Sequence, residues 1–279
     1  MSSPARYVYL GRLKAYLNKF DESLEVFSRG LERFPDSPHL YRHRAHRYIT
    51  LRDFDNAIAD FERAVELTRN MPDEIEDYQP QVEKDIAHIL LDEADQVNTA
   101  PTPITPEVLE RLKDTYKSTL KSSIYYHYGL AYYLKGDFER AAEIYRETLT
   151  YCVDDDMRAA TTDWLYMTLR RLGRHDEAAR VLETIHPDMH IVEGSYFKRL
   201  RMYQGAIAPQ DLLPENATGS REIATQGYGL GNWYLYNGDA DNARKTFERV
   251  LKLNQPSAFG HIAAELDLER HLGRQGVSA

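Results

Sequence analysis

Apolar residues recur three and four positions apart along most of this chain, and the runs are interrupted by short polar turns of one recurring form. Lys19-Phe-Asp-Glu-Ser-Leu, Asp53-Phe-Asp-Asn-Ala-Ile, Gly136-Asp-Phe-Glu-Arg-Ala and Gly238-Asp-Ala-Asp-Asn-Ala are four versions of it. Each joins two helical patterns into a hairpin. Phe20 and Phe54 lie 34 residues apart. A fixed period of that size marks a solenoid, because one hairpin cannot bury its apolar face alone and stacks on the next.

The positions within each unit agree. The first supplies Tyr7, Leu10, Gly11, Phe20, Ser23, Phe27, Gly30 and Pro35, and the second Tyr41, Ala45, Tyr48, Phe54, Ala57, Phe61 and Ala64. A third has Tyr125, Tyr128, Gly129, Tyr132, Gly136, Phe138, Ala141 and Tyr145, and a late one has Leu230, Gly231, Tyr234, Gly238, Ala243 and Phe247. Between them Leu165, Leu169, Gly173, Ala178 and Leu182 form a weaker unit, with Tyr166 where a small residue belongs. Small residues are needed at a helix crossing, so Tyr166 predicts a wider or shifted one. These residues resemble the tetratricopeptide repeat family. The resemblance implies an all-α, right-handed superhelical solenoid of about six helical hairpins. Ser257 to Arg270 then predicts a C-terminal helix that caps the last apolar face.

The period breaks twice. From His175 to Ala240 is 65 residues, room for one degenerate hairpin over Tyr196–Leu213. From Phe54 to Phe138 is 84 residues, which implies an insertion of about 50 after the second repeat. The expected organisation is two repeats over 1–69, the insertion over 70–120, further repeats over 121–255, and the cap and tail over 256–279. Within the insertion, Asn70–Asp77 reads as an acidic turn, Tyr78–Val97 as a helix, and Ala100–Pro106 as extended chain. Thr105 and Pro106 then read as the cap and first position of another helix. A mobile connector and a partner-binding arm remain alternatives for this segment.

Composition narrows the partners. The chain has 279 residues and a net charge of -9, which argues against a general nucleic-acid binder because that needs a basic field. It carries one cysteine, Cys152, and so no internal disulfide framework. No run approaches the length of a membrane span, and a cytoplasmic location is expected. No cofactor motif is present.

In the family the resemblance indicates, first helices of successive repeats line the concave face. Carried over, that face takes Arg12 and Tyr16, then His39, Arg42, His43 and His46, then Tyr126 and His127. Further along it takes Asp163, Trp164 and Arg170, and finally Tyr228, Asn232 and Tyr236. His39, His43 and His46 fall at i, i+4 and i+7, one stripe of one helix. Arginine and imidazole groups there suit an anion, and off-phase aromatics suit a peptide or a flat molecule. The leading expectation is an interaction module for a peptide or partner segment bearing an acidic group. The alternative is a small-molecule pocket, binding or catalytic, around His43, His46, His127 and Asp163. A metal held by the histidines is a sharper variant that no His or Cys motif supports. Val8, His43, Ser123 and His127 stand where the family's carboxylate clamp for chaperone tails has its Lys and Asn set, so that partner is not expected.

Overall fold

The computed structural model describes residues 3–76, 102–115, 117–214, 216–217 and 219–273. The expected helix over Tyr78–Val97 lies outside them. Paired helices dominate: α1 (Pro4–Tyr16) with α2 (Phe20–Arg33), α3 (Pro38–Thr50) with α4 (Phe54–Thr68), and α6 (Leu120–Lys135) with α7 (Phe138–Thr150). Then come α8 (Asp155–Arg171) with α9 (His175–Leu182), α10 (Ser195–Tyr203) with the short α11 (Pro209–Leu212), and α12 (Ser220–Tyr236) with α13 (Ala240–Leu251). A single-turn α5 (Pro106–Arg111) precedes the third pair. The last helix, α14 (Phe259–Asp267), continues into a π-helical turn over Leu268–Leu272. This is the tetratricopeptide solenoid architecture, six hairpins and a cap.

Local chemistry accounts for the hairpins. The turn between first and second helix needs a left-handed residue, and it is supplied by Asn18 (φ 59°), Arg52 (φ 63°), Gly136 (φ 94°), Gly173 (φ 71°) and Gly238 (φ 84°). The next residue but one starts the second helix, and Asp53, Asp137 and Asp239 cap it by accepting from the N–H three residues on. Within each hairpin a small residue meets an aromatic ring. A Cβ built on Gly129 would stand 2.9 Å from the Tyr145 ring, and one on Gly231 would stand 2.5 Å from that of Phe247. Phe27, Phe61, Tyr145 and Phe247 are therefore at most 1% exposed. Tyr166 departs from this rule as the sequence implies. It stacks on Tyr203 of α10 at 4.5 Å, in contact with the degenerate hairpin.

The base of the insertion is ordered. Residues 70–76 are not all turn: Glu74–Ile75 pairs antiparallel with Thr102–Pro103, and Ile75 bridges Thr119. The two-residue strands form because Asp73 is fixed beside them, its carboxylate accepting from the N–H groups of Glu74 and Lys121. Thr105 caps α5 with Pro106 in its first turn, and Thr119 with Ser122 forms a capping box on α6. The residues around Glu76 are thereby held over α3.

The cap does more than cover the last hairpin. α14 packs on α12 and α13, yet it also reaches α6. Arg52, in the turn of the second hairpin, donates to Glu265 at 2.8 Å and to the Pro256 carbonyl at 2.8 Å. Arg171 of α8 donates to Asp267 at 2.9 Å. α14 thus joins early and late repeats across the inner side of the superhelix. Among the described residues no helix is long and apolar enough to cross a membrane.

Candidate functional site

A cavity of about 470 Å³ opens between α1, α3, α6, the start of α14 and the base of the insertion. α1 contributes Arg12 and Tyr16, α3 contributes Arg42, His43, His46 and Arg47, and α6 contributes Ser123, Tyr126 and His127. Glu76, Ser118, Ser257 and Phe259 complete the polar and aromatic wall, over a floor that includes Phe20, Phe27 and Met157.

The histidines in it are neutral. Two guanidiniums on α3 donate to the ring of an adjacent imidazole, Arg42 to His43 Nδ1 at 2.9 Å and Arg47 to His46 Nδ1. Burial, reinforced by the neighbouring arginines, holds His43 and His46 well below the usual imidazole range. Burial also drives His127 down to about 3, against the opposing pull of its bond to the Ser123 carbonyl. The His46 and His127 rings meet edge to face at 4.8 Å, and Phe259 closes on both, at 5.1 Å and 5.5 Å.

The arginines carry the charge. Arg42 donates to Glu76 at 3.0 Å, with both side chains largely buried, while its Nε is buried without a hydrogen-bond partner. Arg47 lies over the Phe20 ring at 5.8 Å. Burial, reinforced by the charges of Arg42 and Arg12 and opposed by Tyr16, lowers its pKa to about 10. Among the described residues no carboxylate pairs with Arg47. Arg12 donates to Tyr16, whose ring is 64% exposed at the rim.

The structure gathers seven of the residues expected on the concave face into this cavity: Arg12, Tyr16, Arg42, His43, His46, Tyr126 and His127. It places the other seven elsewhere. His39 turns aside to Glu74 of the first strand, at 2.6 Å. Asp163 is fully buried in an ion pair with Arg199 of α10, so the proposed group of His43, His46, His127 and Asp163 is not assembled. Trp164 and Tyr228 are buried and stack on each other at 5.7 Å. Tyr228 donates to Asp267 at 3.1 Å, and buried Asn232 donates to the Tyr133 hydroxyl at 3.0 Å and accepts from Arg171 at 2.9 Å. Arg170 lies over Tyr236 at 4.4 Å and donates to Tyr166 and Asn237. The physical reason is shared by most of them: α14 and α10 occupy the inner face of the later repeats, and residues in phase for a groove become core.

Besides the apolar Ala15 and Met157, five lining residues escape the sequence pattern. Arg47 was within reach of it, since it follows His43 by four positions on the same helix face. Glu76, Ser118, Ser257 and Phe259 come from loops and from the cap, outside the repeat period that marks the concave face. Cys152 is outside the cavity; its thiol donates to the Thr148 carbonyl, and burial pushes it up to about 11. Among the described residues no group of three His, Cys, Asp or Glu side chains is placed to hold a metal ion.

Sequence profiles described as tetratricopeptide repeat match residues 10–72, 122–151 and 227–256. The chain is a tetratricopeptide repeat protein. The matched stretches are the first two hairpins, the third, and the last, where small and aromatic crossings are most regular. No curated protein matches the repeat protein by sequence. Among solved structures it is similar to YrrB, described as a TPR protein with an unusual peptide-binding site. That match has 12% identity and a TM-score of 0.42 over 94% of this chain and 90% of that one. It is also similar to the APC/C hetero-tetramer Cut9-Hcn1, at 16% identity and a TM-score of 0.33, over 96% of this chain and 42% of that one.

Proposed function

We propose that this repeat protein is an interaction module that takes an anionic group of a partner protein or peptide into the cavity between α1, α3 and α6. One observation carries the reading: Arg47 stands largely buried beside Arg42, in a field set by cations, with no carboxylate of the described residues against it. A buried guanidinium in that situation gains most from an incoming anion, because the desolvation of the cation is already in place. The partner enters end-on or by a side chain, since α14 packs against α6 and Phe259 closes on His46 and His127. The exposed Tyr16 and Leu17 at the rim supply apolar contact for the flanking residues.

The test is fluorescence anisotropy of the full chain with a labelled library of short peptides that differ in acidic content. Acidic peptides should bind, Arg42→Ala and Arg47→Ala should each weaken them at least tenfold, and Arg170→Ala, outside the cavity, should not. Equal affinity of the three variants would sink the assignment.

A second reading, a small anionic molecule held in the same place, is favoured by the closure of the cavity by Phe259 and Ser257. A catalytic version has less support. Imidazoles held this far below neutral pH are weak bases and do not donate as acids at pH 7.

A further inference from the structure

Resting on the reading of this cavity as an anion site, we propose that its ligand is a phosphate monoester with an aromatic or apolar body. Three features of the lining separate that class from a plain carboxylate. First, the polar wall is donor-rich: guanidinium groups approach from two helices, Arg12 on α1 and Arg42 and Arg47 on α3, while Glu76 is the one carboxylate among the described lining residues. A monoester is nearly a dianion at neutral pH and offers three strong acceptor oxygens, which matches planar guanidinium forks arriving from different directions. Second, the histidines add no charge. The Nδ1 atoms of His43 and His46 already accept from Arg42 and Arg47, which fixes these guanidiniums in orientation; Arg42 also donates to Glu76, so the N–H groups left for the ligand are chiefly those of Arg47. Third, about 470 Å³ is far more room than a phosphoryl group fills. The remainder is walled by Phe20, Phe27, Phe259 and the Tyr126 ring, a surface that suits the organic half of an ester and gives inorganic phosphate little.

Calorimetric titration of the full chain with phenyl phosphate, benzoate and inorganic phosphate decides it. At pH 7.5 phenyl phosphate should bind at least tenfold tighter than either other probe. Its advantage over benzoate should shrink at pH 5, below the second phosphate ionisation at about 6, where His127 stays neutral. Arg47→Met should remove the preference while the thermal unfolding transition stays cooperative, and Arg47→Lys should restore part of it. Benzoate binding as tightly as phenyl phosphate, or an unchanged preference in a folded Arg47→Met protein, overturns the inference. Should acidic peptides bind with no preference for phosphate, the interaction module stands and this inference falls; silence from every anionic probe removes both. O-phosphotyrosine compared with a phosphotyrosine heptapeptide separates the sources. Tighter peptide binding assigns the ester to a modified protein, and equal affinity assigns it to a free metabolite.

Discussion

The cavity histidines make the protein sensitive to mild acid, and His127 gives the effect a definite size. The ring faces Tyr126 and the Ser123 carbonyl on its own helix, His46, Arg42 and Arg47 from α3, Phe61 from α4 and Phe259 from α14. None of these is an acid, and of them the Ser123 carbonyl alone favours the imidazolium, too weakly to offset burial. Folding lowers its pKa from 6.5 to about 3, and the unfolded chain therefore binds the proton first as pH falls. The stabilisation from keeping this ring neutral is complete above pH 6.5 and is lost progressively between there and pH 3. At pH 5 the unfolded imidazole is almost fully protonated and the folded one is not. The 1.5 units between 6.5 and 5 correspond to about 2 kcal/mol for this residue. Asp163 works in the opposite sense, because burial raises its carboxyl to about 6 and its uptake of a proton in the folded state offsets part of the loss. A comparison of variants isolates the His127 share. Urea unfolding at pH 7.5 and pH 5.0 should show wild type losing about 2 kcal/mol more than His127→Gln over that interval. Identical losses would mean that the ring is solvated and that Phe259 does not close on it.

Other consequences follow from the same packing. Asp163→Asn should destabilise the protein by about 3–5 kcal/mol in denaturant titration by leaving Arg199 buried without its counter-charge, and Asp163→Leu with Arg199→Met should recover much of that loss. Gly231→Ala places a methyl group against the Phe247 ring and should cost about 1–3 kcal/mol, whereas Gly173→Ala, with open space around it, should cost only about 1 kcal/mol from its left-handed backbone. Gly260→Val drives a side chain into the Ala224 carbonyl; hydrogen exchange should rise throughout α14 while α1 to α4 stay protected. Protection lost equally everywhere would show that the cap and the early repeats unfold as one.

The hairpins were legible because they are built from short-range physics. A 34-residue period, a left-handed turn residue, an aspartate cap and a glycine facing a ring are all local, and each unit meets its neighbour through the same residues. The stripe from Arg12 to His46, and its continuation at Tyr126 and His127, was legible for the same reason. Arg47 was missed although the i+4 rule contains it.

What sequence pattern could not supply is where the chain returns. Asp163, Trp164, Tyr228 and Asn232 have the phase of groove residues, and helical phase says only which way a side chain points from its axis. Whether that direction holds solvent or another helix depends on the curvature of the whole superhelix. Here α14 crosses the inner face, tied to Arg52 and Arg171 through Glu265 and Asp267, and it turns the later half of the groove into core. The same return brings Phe259 beside His46 and His127, more than 130 residues away in the chain. The sequence by itself determined the repeats and one arginine and histidine face; the tertiary structure decided that this face ends in a cavity walled by Glu76 and Phe259, because the contacts that build it are long-range and lie outside the repeat period.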